Sequence, residues 1–460
     1  MEGRTPGSGV LSTEARVREI GVSLPTPEAI RVLQRKLYVK AKEEPPYRFY
    51  SLYDKIWRTD ILTHAYRLAK ARHGAPGVDG VTFEQVEEQG LEDWLRRLQE
   101  DLRWKRYRPE AVRRVYIPKP GGGERPLGIP TVRDRVAQTA AALVLTPVFE
   151  ADFPDEMYGY RPKRSAQEAV AVVHQALREG YTDVVDADLS KYFDRIPHAD
   201  LLKSVARRIS DGAVLHLLRL WLKAPIEEAD AGGKKRRTGG KAHTLGTPQG
   251  GVVSPLLANI YMSRFLRAWR KRGMGDALKA KVVNYADDFV ILCRGTAAQA
   301  LDLTRRWMTA LKLTLNEEKT CLRDARREHF NFLGYTFGPM VHRPTGRTFL
   351  AATPSKKAVA RLRERIRAIL RPNTIPWEQL VVEANSVLRG WADYFSYGTV
   401  SRAYWWVDAF VLRRARVFLT QRHKVPGQGT RRFPPEVVFG PGGLINLAAY
   451  HRARTSHAST

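Results

Sequence analysis

The chain has 460 residues and a formal net charge of +29. Its hydrophobic content of 43% predicts a sizeable core and excludes a disordered chain, and the absence of an uninterrupted apolar run of about 18 residues excludes a transmembrane helix. The positive charge predicts a polyanionic partner, and a nucleic acid fits better than an acidic membrane surface because the basic residues are spread over the whole chain.

The first residues and the cysteines bear on the cell compartment. Residues 1 to about 25 contain Gly, Ser and Pro with mixed charge and lack the apolar core of a secretory signal. Cys293 and Cys321 are the only cysteines, so neither structural zinc nor a disulfide framework is expected. We therefore expect a cytoplasmic protein.

The spacing of apolar residues predicts a helical lead, an α+β middle and a helical end. In the lead, helices are predicted at 27–45, 47–72 and 83–102. In the middle, strands are predicted at 112–117, 182–188 and 330–337, and helices at 134–149, 165–179, 199–222, 254–269 and 298–311. A glycine-rich turn is expected at 118–126, an exposed basic loop at 234–237, and helices from residue 356 onward.

Two adjacent carboxylates lie in a predicted hairpin at residues 281–293. β-Branched and apolar runs flank Tyr285-Ala286-Asp287-Asp288, so Asp287 and Asp288 are expected at the turn. Adjacent carboxylates repel each other unless a cation lies beside them, and Mg²⁺ prefers oxygen ligands of this kind. The alternative is that these residues are present because Asp is common in turns.

A second predicted strand supplies a third carboxylate. The run at 184–188 ends in Asp188, which a neighbouring position in the same sheet would bring beside Asp287 and Asp288. Three carboxylates at the ends of neighbouring strands can hold two Mg²⁺ ions roughly 4 Å apart, and such a pair activates a primer 3′-hydroxyl and stabilises the leaving pyrophosphate. The pattern therefore favours nucleotidyl transfer.

A glycine-containing loop precedes the helix predicted at 254–269. Gly246 and Gly250 allow the backbone to come close to a nucleotide or a base pair, and Gln249 offers both a hydrogen-bond donor and an acceptor. Taken alone, the pattern also fits an ordinary loop before a helix.

The order of these segments resembles a reverse transcriptase, and more narrowly the group II intron-encoded reverse transcriptase and maturase family. The resemblance covers roughly residues 50 to 420. It rests on Gly77-Val78-Asp79-Gly80, Ile117-Pro118-Lys119, Arg125-Pro126-Leu127-Gly128-Ile129-Pro130, Asp134-Arg135-Val136-Ala137-Gln138, Tyr158-Gly159-Tyr160-Arg161-Pro162, Phe193-Asp194, Pro248-Gln249-Gly250, Tyr285-Ala286-Asp287-Asp288, Asn316-Glu317-Glu318-Lys319-Thr320, Phe332-Leu333-Gly334-Tyr335 and Gly390-Trp391-Ala392-Asp393-Tyr394-Phe395.

The resemblance implies a right-hand polymerase fold of fingers and palm, with a helical N-terminal extension and a helical thumb or maturase domain. It implies that Asp188, Asp287 and Asp288 bind two Mg²⁺ ions and that dNTPs are the substrates. We expect four parts: a partly disordered leader at 1–46, fingers and palm at 47–345, the helical thumb at 346–410, and a short basic DNA-binding tail at 411–460.

The resemblance also implies contacts to the incoming nucleotide. Lys119 and Arg125 match triphosphate-binding residues of the fingers, although a basic hairpin that touches template phosphate is the alternative. Phe193 stands five residues after Asp188, where reverse transcriptases have an aromatic side chain that blocks a ribose 2′-hydroxyl. The alternative for Phe193 is an ordinary core aromatic.

Further contacts follow from the same resemblance. Gln249 is expected at the nascent base pair, Gly250 beside the primer and template, and Tyr285 at the primer end. Lys319 stands where related polymerases have a lysine that protonates pyrophosphate, and a charge at a helix terminus is the alternative. The aromatic residues at 391–406 fit a helical core, with base stacking as the alternative.

The implied function is an RNA-directed DNA polymerase that binds its group II intron RNA, assists splicing and supports intron mobility by target-primed reverse transcription on a DNA target and primer. The chain lacks the His- and Cys-rich endonuclease segment of many related proteins, so we expect the primer to come from elsewhere, such as a replication fork. We expect a ribonucleoprotein in the bacterial cytoplasm, with its oligomeric state left open. Two alternatives stand beside this reading: a domesticated reverse transcriptase of a defence or diversity-generating system, and an RNA-binding splicing factor without polymerase activity.

Overall fold

The computed structural model describes residues 24–118, 123–229, 234–342, 344–371 and 374–457. Its α-helices are α1 (Glu28–Glu43), α2 (Tyr53–Ile56), α3 (Thr59–Lys70), α4 (Phe83–Glu88), α5 (Leu91–Arg103), α6 (Val132–Glu150), α7 (Ala166–Arg178), α8 (Tyr192–Arg195), α9 (His198–Ala206), α10 (Gly212–Leu222), α11 (Ser254–Lys271), α12 (Met274–Ala277), α13 (Ala297–Ala310), α14 (Lys356–Ile369), α15 (Trp377–Tyr394), α16 (Ser401–Arg422), α17 (Pro435–Val438) and α18 (Leu447–His457). Its β-strands are β1 (Val112–Pro118), β2 (Glu124–Ile129), β3 (Asp183–Asp188), β4 (Pro225–Ala229), β5 (Lys235–Gly239), β6 (Ala280–Tyr285), β7 (Asp288–Cys293), β8 (Cys321–Asp324), β9 (Phe330–Phe332), β10 (Tyr335–Val341) and β11 (Thr348–Pro354).

The palm sheet has the strand order β6-β7-β3-β8, and each neighbouring pair is antiparallel. Successive residues of β3 point to opposite faces of the sheet. Val184 belongs to the core that includes helix α7, whereas Val185 belongs to the larger core that includes α11 and α13. Because both faces are covered, the ends of β3 and β7 are held in fixed positions.

A second four-stranded sheet, the fingers sheet, has the order β2-β1-β4-β5. The helix α6, which follows β2 in the chain, is buried on nearly all sides, as expected for a helix that is apolar around its circumference. Both α1 and α3 pack against α6. Residues 28–43 are therefore part of the main core, through Ile30 and Leu37, although they fall within the expected leader. Residues 1–23 lie outside the described residues.

The helical domain consists of α14 to α18 around one apolar core, which includes Ile366, Leu388 and Val411. The expected boundary between residues 410 and 411 falls inside α16, because the apolar pattern of that helix continues to Leu419. The Asp408 carboxylate accepts the backbone N–H groups of the first turn of α18, at 2.7 and 3.1 Å. The residues expected to form a separate tail thus belong to the helical domain as far as the structure describes them.

The palm and the helical domain are in contact beside the three-stranded sheet, whose strand order is β11-β10-β9. The Tyr335 hydroxyl donates to the Tyr394 carbonyl oxygen at 2.9 Å, and the Tyr394 hydroxyl donates to the Leu333 carbonyl oxygen at 2.9 Å. These reciprocal bonds fix the end of α15 against the palm.

The prediction of a single strand at 330–337 is wrong, because a two-residue turn interrupts it. Leu333 and Gly334 both have positive φ, 49° and 77°, which produces a tight hairpin between β9 and β10. The helix predicted at 83–102 is likewise interrupted, at Gly90, whose φ is 98°.

Two further predictions differ from the structure in the middle of the chain. The helix predicted at 199–222 is divided into α9 and α10, because Asp211 caps a new helix by accepting the Ala213 N–H at 3.0 Å. The basic segment predicted as a loop at 234–237 lies mostly in β5, an exposed strand at the edge of the fingers sheet. There Lys235 and Arg237 both pair with Glu227, at 3.0 and 2.9 Å.

Candidate active site

The hairpin predicted at residues 281–293 is present, but Asp288, which was expected at the turn, is the first residue of β7. Strands β6 and β7 pair so that Tyr285 lies opposite Asp288, which leaves Ala286 and Asp287 as the two turn residues. Ala286 has a φ of 59°, a conformation that L-residues adopt only when the surroundings hold it. The buried Asn284 supplies part of this restraint, since its Nδ2 donates to the Ala286 carbonyl oxygen at 2.9 Å.

The segment around Gly159 holds the same turn from the other side. The Tyr158 N–H donates to the Asn284 carbonyl oxygen at 2.9 Å, and the Nδ2 of the buried Asn259 donates to the Gly159 carbonyl oxygen at 2.8 Å. A Cβ on Gly159 would lie 2.5 Å from the Ala286 nitrogen, so the approach of the two backbones requires glycine. The sequence contained this segment as a motif but gave no role to Gly159 or Asn259.

Asp188 and Asp288 are brought together by the pairing of β3 with β7. They are opposite one another in the antiparallel register, which places their Cα atoms about 5 Å apart. Asp287 follows directly in the hairpin turn. The three carboxylates that the sequence singled out therefore occupy one end of the palm sheet.

Asp188 is held by the segment that precedes β8. Asn316 Nδ2 donates to Asp188 Oδ2 at 3.1 Å, and Lys319 Nζ lies 3.2 Å from the same oxygen. The Asn316 backbone N–H also donates to the Asp188 carbonyl oxygen at 2.8 Å. Lys319 thus lies at the carboxylate end of the sheet, and Asn316 is a supporting residue that the sequence left without a role.

The electrostatic environment disfavours the charged form of two carboxyls. The surrounding protein, together with Asp287 and Asp188, raises the pKa of Asp288 to about 7. The Asp288 side chain is nevertheless exposed to solvent. The pKa shift therefore arises because surrounding protein displaces part of the water near the carboxyl, and not because the carboxyl is fully enclosed. Burial raises the pKa of Asp186 to about 6, and the charge of Asp188 adds to that shift.

The donor atoms at this end of the sheet suit a hard divalent cation. Carboxylate oxygens are the ligands that Mg²⁺ prefers, and after burial the largest contributions to the raised pKa of Asp288 come from the negative charges of Asp287 and Asp188. Within the described ranges, we find no group of three or more Asp, Glu, His or Cys side chains arranged around a common point as metal ligands would be. The ammonium group of Lys319 lies beside Asp188 instead.

The fingers and the glycine-containing loop meet through Gln249. Arg125 Nε donates to Gln249 Oε1 at 3.2 Å, and Gln249 Nε2 donates to both carboxylate oxygens of Asp194 at 3.1 and 3.2 Å. A Cβ on Gly250, whose φ is 107°, would collide with the Gly128 carbonyl oxygen. The structure thus brings Arg125 and Gln249 together, whereas Lys119 lies outside the described residues.

Phe193 lies between this loop and the palm sheet. After β3 the chain passes through Lys191, with a φ of 49°, into the short helix α8, which turns the Phe193 ring towards the Tyr160 ring at a centroid distance of 6.3 Å. Phe193 is 7% exposed and Tyr160 is 47% exposed. The Phe193 carbonyl oxygen accepts the Thr247 N–H at 2.7 Å, which holds the backbone of Phe193 against the loop that contains Gln249.

Most of the late aromatic residues pack inside the protein, as the sequence favoured. Trp391 lies against Phe395 and Tyr404, with ring centroids 4.8 and 5.7 Å apart. Trp405 and Trp406 differ, since they are 62% and 55% exposed on α16.

No helix among the residues that the structure describes is long and apolar enough to cross a membrane.

Two family models match consecutive parts of the chain. The model described as "Reverse transcriptase (RNA-dependent DNA polymerase)" matches residues 117–337, which include the palm sheet, all three carboxylates and the fingers sheet except most of β1. The model described as "Group II intron, maturase-specific domain" matches residues 359–433, which lie in the helical domain and extend across the expected boundary at residue 410.

Individual relatives agree with these models. Protein YkfC of Escherichia coli is 35% identical over 343 residues, which cover 66% of this chain and 87% of YkfC. The group II intron-encoded protein LtrA of Lactococcus lactis is 33% identical over 215 residues, 46% of this chain and 34% of LtrA. A 91 kDa protein in the cob intron of Schizosaccharomyces pombe is 24% identical over 418 residues, 75% of this chain and 50% of that protein.

The chain spans most of YkfC but half or less of the other two relatives. A reverse transcriptase domain with the fold of a right-hand polymerase is followed by a maturase-specific domain, and the order of the two is the one that the sequence motifs indicated. The chain therefore belongs to the family of group II intron-encoded reverse transcriptases and maturases.

Proposed function

We propose that this protein is an RNA-directed DNA polymerase that extends a primer with dNTPs by nucleotidyl transfer. The observation that supports this most strongly is the direct pairing of Asp188 with Asp288 at the end of the palm sheet, with Asp287 in the adjoining turn. Nucleotidyl transfer requires negative ligands at one point, and a structural role alone does not explain a carboxyl, that of Asp288, whose pKa is raised by burial and by two neighbouring carboxylates.

The carboxylates of Asp188, Asp287 and Asp288 are the residues that would hold two Mg²⁺ ions. Bound there, the ions would supply the charge that activates the primer 3′-hydroxyl and stabilises the leaving pyrophosphate. In this proposal Lys319, whose Nζ lies 3.2 Å from Asp188 Oδ2, neutralises that carboxylate before the ions bind and would then donate a proton to pyrophosphate. Tyr285, opposite Asp288 in the register, would contact the end of the primer.

The residues around Gln249 would position the incoming nucleotide. The guanidinium of Arg125 is a strong donor to phosphate oxygens, and its bond to Gln249 keeps it at the mouth of the site. Gln249 and Gly250 would lie against the nascent base pair, where glycine permits close approach. Lys119 would add a second cation for the triphosphate.

Phe193 would exclude ribonucleotides by its position. The ring packs against the rings of Tyr160 and Tyr192, and the backbone of Phe193 is held by its bond to Thr247, so the ring does not turn aside easily for a 2′-hydroxyl. The product would then be DNA.

The maturase-specific domain supports a second part of the proposal. We infer that the protein binds the group II intron RNA that encodes it, assists splicing, and supports intron mobility by target-primed reverse transcription with a DNA target and primer. LtrA is named a group II intron-encoded protein. The net charge of +29 suits a long RNA partner. A ribonucleoprotein in the bacterial cytoplasm is the form in which this activity would operate.

RNA-templated primer extension tests the polymerase proposal. The purified protein should incorporate dNTPs along an RNA template with Mg²⁺, and chelation of the metal should stop the reaction. A folded protein that gives no dNTP incorporation under these conditions would contradict the proposal. Acceleration of splicing of the intron RNA that surrounds the gene tests the second part, and splicing that is independent of the protein would contradict it.

A further inference from the structure

A crevice with an excess of positive charge lies where the end of α6, the end of α9 and the middle of α11 meet. Four arginines line it, Arg207, Arg208, Arg264 and Arg267, together with one carboxylate, that of Asp152. The charges of these lining residues sum to +3, four positive less one negative. The crevice is part of neither the carboxylate end of the palm sheet nor the fingers loop.

Arg208 has a structural role that leaves little of it for a ligand. Its Nη1 donates to the carbonyl oxygens of Glu44 and Tyr47, at 3.1 Å each, so it closes the end of α1 against the palm. Its Nε lies 3.0 Å from Asp152 Oδ2. The one carboxylate of the crevice is thus already engaged by a buried arginine.

The other three arginines have no such partners. Among the residues that the structure describes, Arg207 and Arg267 form neither a hydrogen bond nor an ion pair, and Arg264 lies only over the ring of Tyr261, at 5.1 Å. Asp200, the carboxylate that interacts with Arg264 through its charge, is bonded to Lys312 at 2.8 Å. Arg267 is half-buried, and burial together with Arg207 and Arg208 lowers its pKa although the charge of Asp152 opposes that shift.

The space between these side chains suits a small anionic group. It has a volume of about 10 Å³, which is close to what one water-sized group needs, and it opens to solvent. One phosphate oxygen fits into it while the rest of a phosphodiester stays outside. Guanidinium groups are well matched to phosphate because they donate several hydrogen bonds in a fixed plane.

The crevice lies away from the proposed site of synthesis. Arg264 and Arg267 follow the start of α11 at Ser254 by ten and thirteen residues. At 1.5 Å per residue this places them about 15 to 20 Å along the helix from the Gln249 loop. A strand bound at the crevice would therefore not compete with a short duplex in the polymerase cleft.

We propose that this crevice binds a backbone phosphate of an RNA strand that runs over the outside of the fingers and palm. The inference rests on the proposed RNA-binding function, since a long RNA partner supplies a strand beyond the cleft. Free inorganic phosphate has the same chemistry and is the other source of such a group.

The test compares an Arg264→Gln/Arg267→Gln variant with a control that loses the same charge elsewhere. Arg97→Gln/Arg306→Gln is that control, because both residues are exposed on helices and line neither site. Transfer RNA is the probe, since a phosphate contact is independent of sequence, and its affinity is measured between about 50 and 200 mM salt. Thermal unfolding establishes that both proteins are folded, and Arg207→Gln, at an exposed residue, provides a second variant.

Loss of one phosphate contact should reduce the slope of log affinity against log salt by about 0.7 to 0.9, and affinity at low salt should fall about threefold or more. Extension of a short primer–template should stay unchanged. Equal losses of RNA affinity in the variant and the control would overturn the inference. So would binding of inorganic phosphate that the variant loses while its RNA affinity is retained. If the proposed polymerase function itself is wrong, the wild-type protein will not extend the short primer–template.

Discussion

Asp188 and Asp288 lie directly opposite each other on the antiparallel strands β3 and β7. Side chains opposite one another on adjacent strands are close enough for like charges to repel. Burial, together with the charges of Asp287 and Asp188, disfavours the charged form of Asp288 and raises its pKa to about 7. A cation at this point would relieve the repulsion, so the metal-free protein should be under electrostatic strain at neutral and alkaline pH.

This strain gives a dependence of stability on pH. Because the pKa of Asp288 is higher in the folded chain than in the unfolded chain, the folded state retains a proton that the unfolded state loses at about pH 4. The free energy of unfolding should therefore fall as pH rises from about 4 to 7, and the loss should be complete above the folded pKa.

Asp288→Asn removes this titration. In the presence of a chelator it should raise the free energy of unfolding at pH 8 by about 1 kcal/mol, since the exposed side chain is screened by water, and should have little effect at pH 4. Denaturant unfolding at the two pH values measures the difference. Asp276→Asn is the control, because Asp276 is exposed on α12. An equal effect of Asp288→Asn at both pH values would contradict the assignment.

Gly159→Ala should disturb the turn without unfolding the protein. The new Cβ would lie 2.5 Å from the Ala286 nitrogen, so the backbone must shift, at a cost of about 1 to 3 kcal/mol. Primer extension should fall at least tenfold, because the turn holds Asp287. Gly390→Ala in α15 is the matched control, since a Cβ there meets nothing within 4 Å and helix propensity favours alanine. Full extension activity in Gly159→Ala would show that the turn tolerates displacement.

Phe193→Val should admit ribonucleotides. The smaller side chain leaves space beside Tyr160 for a 2′-hydroxyl, so the ratio of dNTP to NTP incorporation should fall by about tenfold or more. Single-nucleotide extension with each nucleotide in separate reactions measures the ratio. Phe49→Val removes a buried ring outside the site and should lose stability while retaining discrimination. If Phe193→Val and Phe49→Val discriminate alike, Phe193 is an ordinary core residue.

Gln249→Met should weaken nucleotide binding. It removes the acceptor for Arg125 and the donor for Asp194 while keeping the size of the side chain. The KM for dNTP should rise about tenfold with a smaller change in kcat, because the lost interactions position the nucleotide. Gln175→Met on α7 is a matched control, since the Gln175 side chain donates to Glu179, which directly follows that helix, and lies away from the site. An unchanged KM for dNTP would show that Gln249 does not position the incoming nucleotide.

The carboxylate hairpin could be predicted from the sequence because its signals are local. β-Branched and apolar runs on either side of a short polar centre define two strands and a turn within fewer than 15 residues. The pairing of β3 with β7 is not local, but a strand that ends in Asp188 suggested it. The hairpin at Leu333 was missed because leucine at positive φ is unusual and gives no turn signal.

The supporting contacts could not be read from the sequence. Gly159 is needed because two backbones 127 residues apart come into contact, and Asn316 meets Asp188 across 128 residues. The link from Arg125 through Gln249 to Asp194 joins three separate segments. In each case the residue types were visible, but only the folded chain determines which of them meet.

Primer extension by Asp287→Ala tests the central claim most directly. If Asp287 holds the ions that drive nucleotidyl transfer, the variant should lose dNTP incorporation on an RNA template by about a thousandfold or more while its thermal stability is retained. The control Asp276→Ala removes an exposed carboxylate elsewhere and should extend the primer as the wild type does. Synthesis by Asp287→Ala at a rate near that of the wild type would contradict the metal-binding role of the carboxylate hairpin.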